Sequence, residues 1–222
     1  MKYLKQYAYA SVIPIFGLIY MSIFTYLENS VTKNYHVIHC KIDDLIPFCE
    51  FFILPYMSWF LFIALIVLYF TFVNQNRAEY WRLIISLGIG MSLFLLISWV
   101  YPNGQHLRPT VFPRENIFTD WVRHLYLIDT PTNILPSIHV YNSVAVCIAV
   151  LDCKALKHRT GIRLGTVIIG ILIILSTVFL KQHSMVDVIS AFTLNGAAYF
   201  AIYRHPLRNW TAQKKHSVAF KL

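Results

Sequence analysis

His183 and Asp187 stand four residues apart in the stretch LSTVFLKQHSMVDV, residues 175–188. On a helix, that spacing puts both side chains on one face, one turn apart. A carboxylate so placed holds an imidazole in one tautomer and stabilises its charged form, which prepares a histidine to act as nucleophile or base. The pair lies between two apolar runs, where an ionisable group is expensive and a functional site is the default explanation. A polar pair that merely satisfies itself inside a helix bundle is the competing one. The sequence PSIH at 136–139 adds His139 to a helix start. Proline favours a first turn, Ser137 can cap, and the backbone amides that follow, beginning with Ile138, can bind an anion. Arg108 and Lys181 add two cations. Two histidines, two cations, one carboxylate and a helix N-terminus suit phosphoryl transfer, which needs charge stabilisation of the phosphoryl oxygens, a nucleophile and a leaving-group acid. A zinc site built from His139, His183 and Asp187 is the chemical rival, and the two cations oppose it.

Composition decides what must position these groups. Of 222 residues, 57% are hydrophobic and 13% charged, against about 25% charged in soluble domains. The chain therefore reads as an all-α integral membrane protein. No polar stretch is long enough for a second domain, so residues 1–222 form a single unit. The net charge of +9 belongs to membrane topology and implies no nucleic-acid partner. Apolar runs predict six transmembrane helices, over residues 7–27, 51–73, 83–101, 137–151, 164–180 and 184–203. The opening MKYLKQYAYA has a signal-peptide flavour. The run behind it is full-length and lacks a small-residue cleavage site, so it predicts a retained helix.

Basic residues then set the orientation. Thirteen fall on one side of the predicted helices: Lys2, Lys5, Arg77, Arg82, Lys154, Lys157, Arg159, Arg163, Arg204, Arg208, Lys214, Lys215 and Lys221. Six fall on the other: Lys33, Lys41, Arg108, Arg114, Arg123 and Lys181. The richer side is expected in the cytoplasm, with both termini, and His183 outside. In the long loop of residues 102–136, Phe118, Trp121, Val122 and Leu125 recur at helical spacing. They predict a short amphipathic helix, lying in the membrane interface or packed on the other helices. Cys40 and Cys49 share a loop, where a disulfide is possible if that loop is outside. His36, His39 and Cys40 lack a fourth metal ligand.

PSIH at 136–139 and HSMVD at 183–187 resemble the second and third signature motifs of the type 2 phosphatidic acid phosphatase superfamily. Arg108-Pro109 resembles the end of its first motif. Order, spacing and six-helix topology agree over roughly residues 101–203, the motif-bearing core. The resemblance implies that His183 attacks phosphorus to form a phosphohistidine, that Asp187 orients it, and that His139 protonates the leaving oxygen. It also implies that Arg108 and the amides after Ser137 hold the phosphate, and that no metal or cofactor is needed.

The chain departs from that pattern at three places. Tyr101 stands where the first motif has lysine, Ser176-Thr177 where the third has Ser-Arg, and Ile138 where the second often has glycine. Lys181 is the candidate replacement for the missing arginine. The lost cations and the Lys-Gln-His string are similar to the branch containing inositol-phosphoceramide and sphingomyelin synthases, which pass a phosphoryl head group to an alcohol. The short chain favours a simple bacterial phosphatase in the cytoplasmic membrane, with its site on the periplasmic or extracellular face. Its substrate would be a lipid phosphate: phosphatidic acid, phosphatidylglycerol phosphate, an undecaprenyl diphosphate or a lipid A phosphate. A non-enzymatic transporter using His139, His183 and Asp187 as a proton relay is the third reading. It predicts polar faces on several helices, yet residues 164–180 hold only Thr166, Ser176 and Thr177 as hydroxyl residues. The sequence does not address oligomeric state.

Overall fold

The computed structural model describes residues 8–31 and 34–204. Lys2, Lys5, Lys33, Arg208, Lys214, Lys215 and Lys221 of the charge split lie outside the described residues, as does Tyr7 at the predicted start of the first helix. A 3-10 turn, Ala8–Ser11, leads into α1, Val12–Ser30. Strand β1, His36–Val37, and α2, Lys41–Leu45, follow. A 3-10 turn at Glu50–Phe52 opens α3, Ile53–Leu68, which is prolonged by the wider π turn Tyr69–Val73. Next come α4, Arg77–Val100, β2, Asn103–Gly104, and α5, Ile117–Ile128. The last elements are α6, Ile138–Asp152, α7, Thr160–Phe179, and α8, Met185–Tyr199, with a π extension Phe200–Arg204.

Among the described residues, five helical stretches are long and apolar enough to cross a membrane: Ala8–Ser30, Glu50–Val73, Arg77–Val100, Thr160–Phe179 and Met185–Arg204. This fits a multi-pass all-α membrane protein. Large apolar side chains such as Phe60, Leu61 and Leu18 are exposed on its sides, as lipid-facing surfaces require. The expected count of six is not met. Helix α6 has 15 residues and so rises about 22 Å, short of a hydrocarbon core of about 30 Å. Its surroundings explain the shortfall. Helix α6 packs against α3, α4, α7 and α8, and Asn142, Ser143, Ala145, Val146, Ala149 and Val150 are all buried. A helix wrapped by protein escapes the length and apolarity that lipid imposes. Close approach secures it: a Cβ on Gly90 would fall 1.9 Å from the Tyr141 ring. The Tyr141 hydroxyl donates to the Ser86 carbonyl (3.0 Å), and Asn195 Nδ2 donates to the Tyr141 carbonyl (3.0 Å).

The two ends of the bundle differ. At one end Arg77 lies over the Tyr9 ring, Arg82 pairs with Asp152 and the Lys154 amide donates to Glu79. At the other, the β1 and β2 segments pair in parallel, His36 with Asn103 and Val37 with Gly104, an unpredicted link between loops. The predicted amphipathic helix is present as α5. Asn116 Oδ1 caps it, accepting from the amides of Phe118 and Thr119 at 3.0 Å. Val122 is buried against Ile53, Tyr56 and Leu180, while Trp121, Leu127 and Ile128 are exposed. One face thus packs on the bundle and the other stays apolar and open. Cys40 and Cys49 are free thiols, so the possible bridge between them is not formed.

Candidate active site

The turn between α7 and α8 delivers His183. Lys181 takes a left-handed conformation, φ 55°, which ends α7 much as glycine commonly does. The Thr177 carbonyl then accepts both the Gln182 amide (2.9 Å) and the His183 amide (3.0 Å). Ser184 caps α8, and Asp187 Oδ2 reaches back to accept the Ser184 amide (2.8 Å). That reciprocal box also aims Asp187 at the imidazole, with His183 Nδ1 3.3 Å from the same Oδ2. Holding a proton on Nδ1 leaves Nε2 with its lone pair for attack. Both side chains are buried, Asp187 completely.

The start of α6 meets this turn directly. The Ser137 amide donates to the Asp187 carbonyl (3.3 Å), and Ser137 Oγ accepts from the Val140 amide (3.4 Å). The Tyr141 amide returns to the Ser137 carbonyl. That leaves the first-turn amides of Ile138 and His139 without an acceptor among the described residues, as helix starts do. Pro136 precedes the cap rather than opening the first turn. The His139 and His183 rings stand 5.7 Å apart between centroids. His139 is held by Trp59 (4.3 Å) and Tyr56 (4.7 Å) of α3, and its Nδ1 is unpartnered among the described residues. Ile138, His139, Gln182 and His183 line a recess of about 60 Å³, room for a few water-sized groups.

The two sequence-predicted cations diverge. The Arg108 guanidinium stacks on the Tyr126 ring at 4.4 Å. It donates to the carbonyls of Tyr126 (3.2 Å) and Asp129 (2.7 Å) and to Gln182 Oε1, which places it behind Gln182, one residue from His183. Its Nε–H has no acceptor among the described residues. Burial lowers its pKa from the ordinary arginine value while Asp129 opposes the shift, and a guanidinium remains charged at neutral pH. Lys181 is not brought to the recess. Its ammonium donates to the carbonyls of Asp43 (2.6 Å) and Ile46 (2.5 Å), because the left-handed turn directs its side chain away from His183. The ammonium of Lys181 is thus engaged away from the recess, and at position 177 it is the threonine carbonyl that meets the turn.

Several residues of the site were not anticipated. Asp43, 2% exposed, accepts from the Ser184 hydroxyl (2.6 Å), the Met185 amide (2.8 Å) and the Cys40 amide (2.8 Å). Burial alone would raise its pKa; those hydrogen bonds overturn that and hold the carboxyl below its ordinary value. Asn103 Oδ1 accepts the amides of Ile134 and Leu135 (2.9 Å each), shaping the approach to Ser137. Gln105 Nε2 donates to the Lys181 carbonyl (2.9 Å). Tyr56 donates to Asp129 Oδ2 (2.9 Å). Asparagine, glutamine and aspartate in polar loops carry no periodic signal, so nothing in the sequence separated these from solvent-facing residues. Among the described residues no group of three or more His, Cys, Asp or Glu side chains is arranged to hold a metal ion. His36 stacks on Tyr101 (4.2 Å) and His39 pairs with Asp44. No family model, curated protein or solved structure matches the chain.

Proposed function

We propose that the protein is a membrane lipid phosphate phosphatase that works through a phosphohistidine on His183. The observation that carries this reading is the meeting of His183 and His139 in one recess, their ring centroids 5.7 Å apart. His183 Nδ1 is tied to Asp187, and the first-turn amides of α6 lie alongside. Nε2 of His183 bonds to phosphorus, and the bond from phosphorus to the lipid oxygen breaks. His139, which takes up a proton as the anionic phosphate enters beside it, gives that proton to the lipid oxygen. Water then attacks the phosphohistidine, returns a proton to His139 and frees phosphate. The amides of Ile138 and His139, with Arg108, stabilise the charge on the phosphoryl oxygens.

The enzyme is proposed to sit in a bacterial cytoplasmic membrane, with α6 as a sixth pass whose start is recessed below the outer face and α5 at the interface. The uneven distribution of basic residues supports a periplasmic or extracellular site. In a background without native cysteines, Val111→Cys, at an 82% exposed position, should react with an impermeant maleimide in intact cells. Thr160→Cys should react only after lysis. The reverse pattern inverts the topology.

A second reading, transfer of a phosphoryl head group to an alcohol, is favoured by one observation: Lys181 is turned away, so the site has fewer cations than a phosphomonoester would prefer. Purified protein given a panel of lipid phosphates separates the two. Phosphate released without an added acceptor supports the phosphatase. Product formed only when a second lipid is present supports the transferase. His139→Ala should cost about 10²–10⁴ in rate on lipids with poor leaving groups and much less on an aryl phosphate. Equal losses on both would remove His139 as the acid.

A further inference from the structure

The rest of the recess lining is rich in oxygen atoms. Asp129, Thr130, Thr132 and Asn133 belong to it, together with Phe24 and Phe94. Asp129 faces Tyr56 and Gln182 through Oδ2. Glu28 of α1 accepts from the Thr130 hydroxyl and from Asn133 Nδ2 (3.2 Å) and lies within electrostatic reach of Asp129 and Arg108. Two carboxylates therefore stand beside one guanidinium. A phosphomonoester carries about −1.5 to −2 charges at neutral pH, and such a wall repels it unless something positive lies between. An independent feature points the same way. Asn133 is 5% exposed, spends its amide donor on Glu28, and keeps Oδ1 without a hydrogen bond among the described residues. Asn142 and Asn195 leave Oδ1 in the same state within the bundle, and Asn133 is the one of the three that lines the recess. The missing partner must bring an N–H or O–H, and the neighbouring carboxylates select a positively charged one.

We propose that this wall is the subsite for an ammonium group, so that the protein takes phosphate esters carrying a protonated amine a few bonds from phosphorus. The inference rests on the phosphoryl-transfer reading of His183 for the position of the phosphate, and it adds what lies beyond it. The ammonium would donate to Asn133 Oδ1 with the carboxylates of Glu28 and Asp129 around it, while Phe24 offers a ring face. Such a ligand arises from two sources, an ethanolamine phosphodiester or the phosphomonoester of a long-chain amino alcohol.

Four short-chain probes test it against the full-length protein in detergent: phosphatidylethanolamine, a sphingoid-base phosphate, phosphatidylglycerol and phosphatidic acid. Binding is measured on wild type and on His183→Ala, so that turnover does not enter the ranking. At least one amine-bearing probe should bind about tenfold tighter than its amine-free counterpart, the size of one charge-assisted contact. Whichever it is identifies the source. Glu28→Gln should erase that preference without weakening phosphatidic acid. Stepwise N-methylation of the ethanolamine probe needs no variant and should weaken binding as N–H donors disappear. Equal binding of all four probes, preference for the glycerol head group, or indifference to methylation would each overturn the proposal. Amine preference without a phosphoenzyme would leave the subsite standing and remove the phosphatase. A phosphoenzyme formed equally from every probe would do the opposite.

Discussion

Residues 36–46 and residues 103–134 both reach the turn that holds His183, and they meet it differently. The first segment arrives through Asp43, whose oxygens accept from Ser184, Met185 and Cys40, and through carbonyls that take the Lys181 ammonium. Its polar groups are consumed in holding the N-terminus of α8. The second arrives through Gln105, Arg108 and Asp129 and leaves capacity unused: Arg108 Nε and Asn133 Oδ1 are unpartnered among the described residues. Unsaturated buried groups also occur elsewhere in the bundle, at Asn142 and Arg163 for example, so saturation separates these two segments only together with their place: Asn133 lines the recess and Arg108 stands behind Gln182. On the proposed function the first segment is support and the second meets the substrate.

The contrast is sharpest in kinetics. Arg108→Met should lower kcat/KM for a lipid phosphate by about 10- to 100-fold, the worth of a charge-assisted contact, and should also lower the melting temperature, because three buried acceptors lose their donor. A large loss of stability with near-normal kinetics would move Arg108 to the supporting group. Asp43→Asn should show no such kinetic loss: it gives up about 1–3 kcal/mol of stability through unsatisfied buried donors, while the protein that remains folded turns over within a few-fold of normal. Lys181→Met should cost less, about 1 kcal/mol, with KM unchanged. A raised KM for Lys181→Met would restore it as a phosphate ligand.

The smallest effect is on pH. The Asp43 carboxyl titrates below its ordinary value in the folded state. Its stabilisation is therefore complete above the unfolded value of about 3.9 and is lost as pH falls through the folded one. Melting curves below about pH 4 should fall more steeply for wild type than for Asp43→Asn, and parallel curves would show that Asp43 is not the titrating support.

What was readable in the sequence was local. The His183–Asp187 spacing, the Ser137 cap and the Phe118–Leu125 stripe each depend on neighbours within one or two turns; the cap and the stripe lie where expected, while His183 meets Asp187 from the turn before α8 through the capping box and not from a shared helix face. The recess wall depends on Glu28 meeting Thr130 across 102 positions, and the support of α8 on Asp43 meeting Ser184 across 141. No local pattern encodes such pairings. Lys181 stands two residues from His183, yet its backbone is left-handed and its ammonium lies on the carbonyls of Asp43 and Ile46, a placement that sequence proximity does not reveal. The extent of α6 was legible, 137–151 against Ile138–Asp152; the count of six crossings failed because this helix, surrounded by α3, α4, α7 and α8, is too short to be counted as one.

A phosphohistidine at His183 can be sought directly. Purified protein is mixed briefly with a radiolabelled lipid phosphate, quenched in alkali, and tested for protein-bound phosphate that survives base and is released by acid, as a phosphorus–nitrogen bond is. Peptide mapping then locates it. Label on the peptide containing His183, absent from His183→Ala and discharged by water during a chase, is the predicted result. Free phosphate released at the full rate by His183→Ala, or by wild type with no label on that peptide at any time, would contradict it.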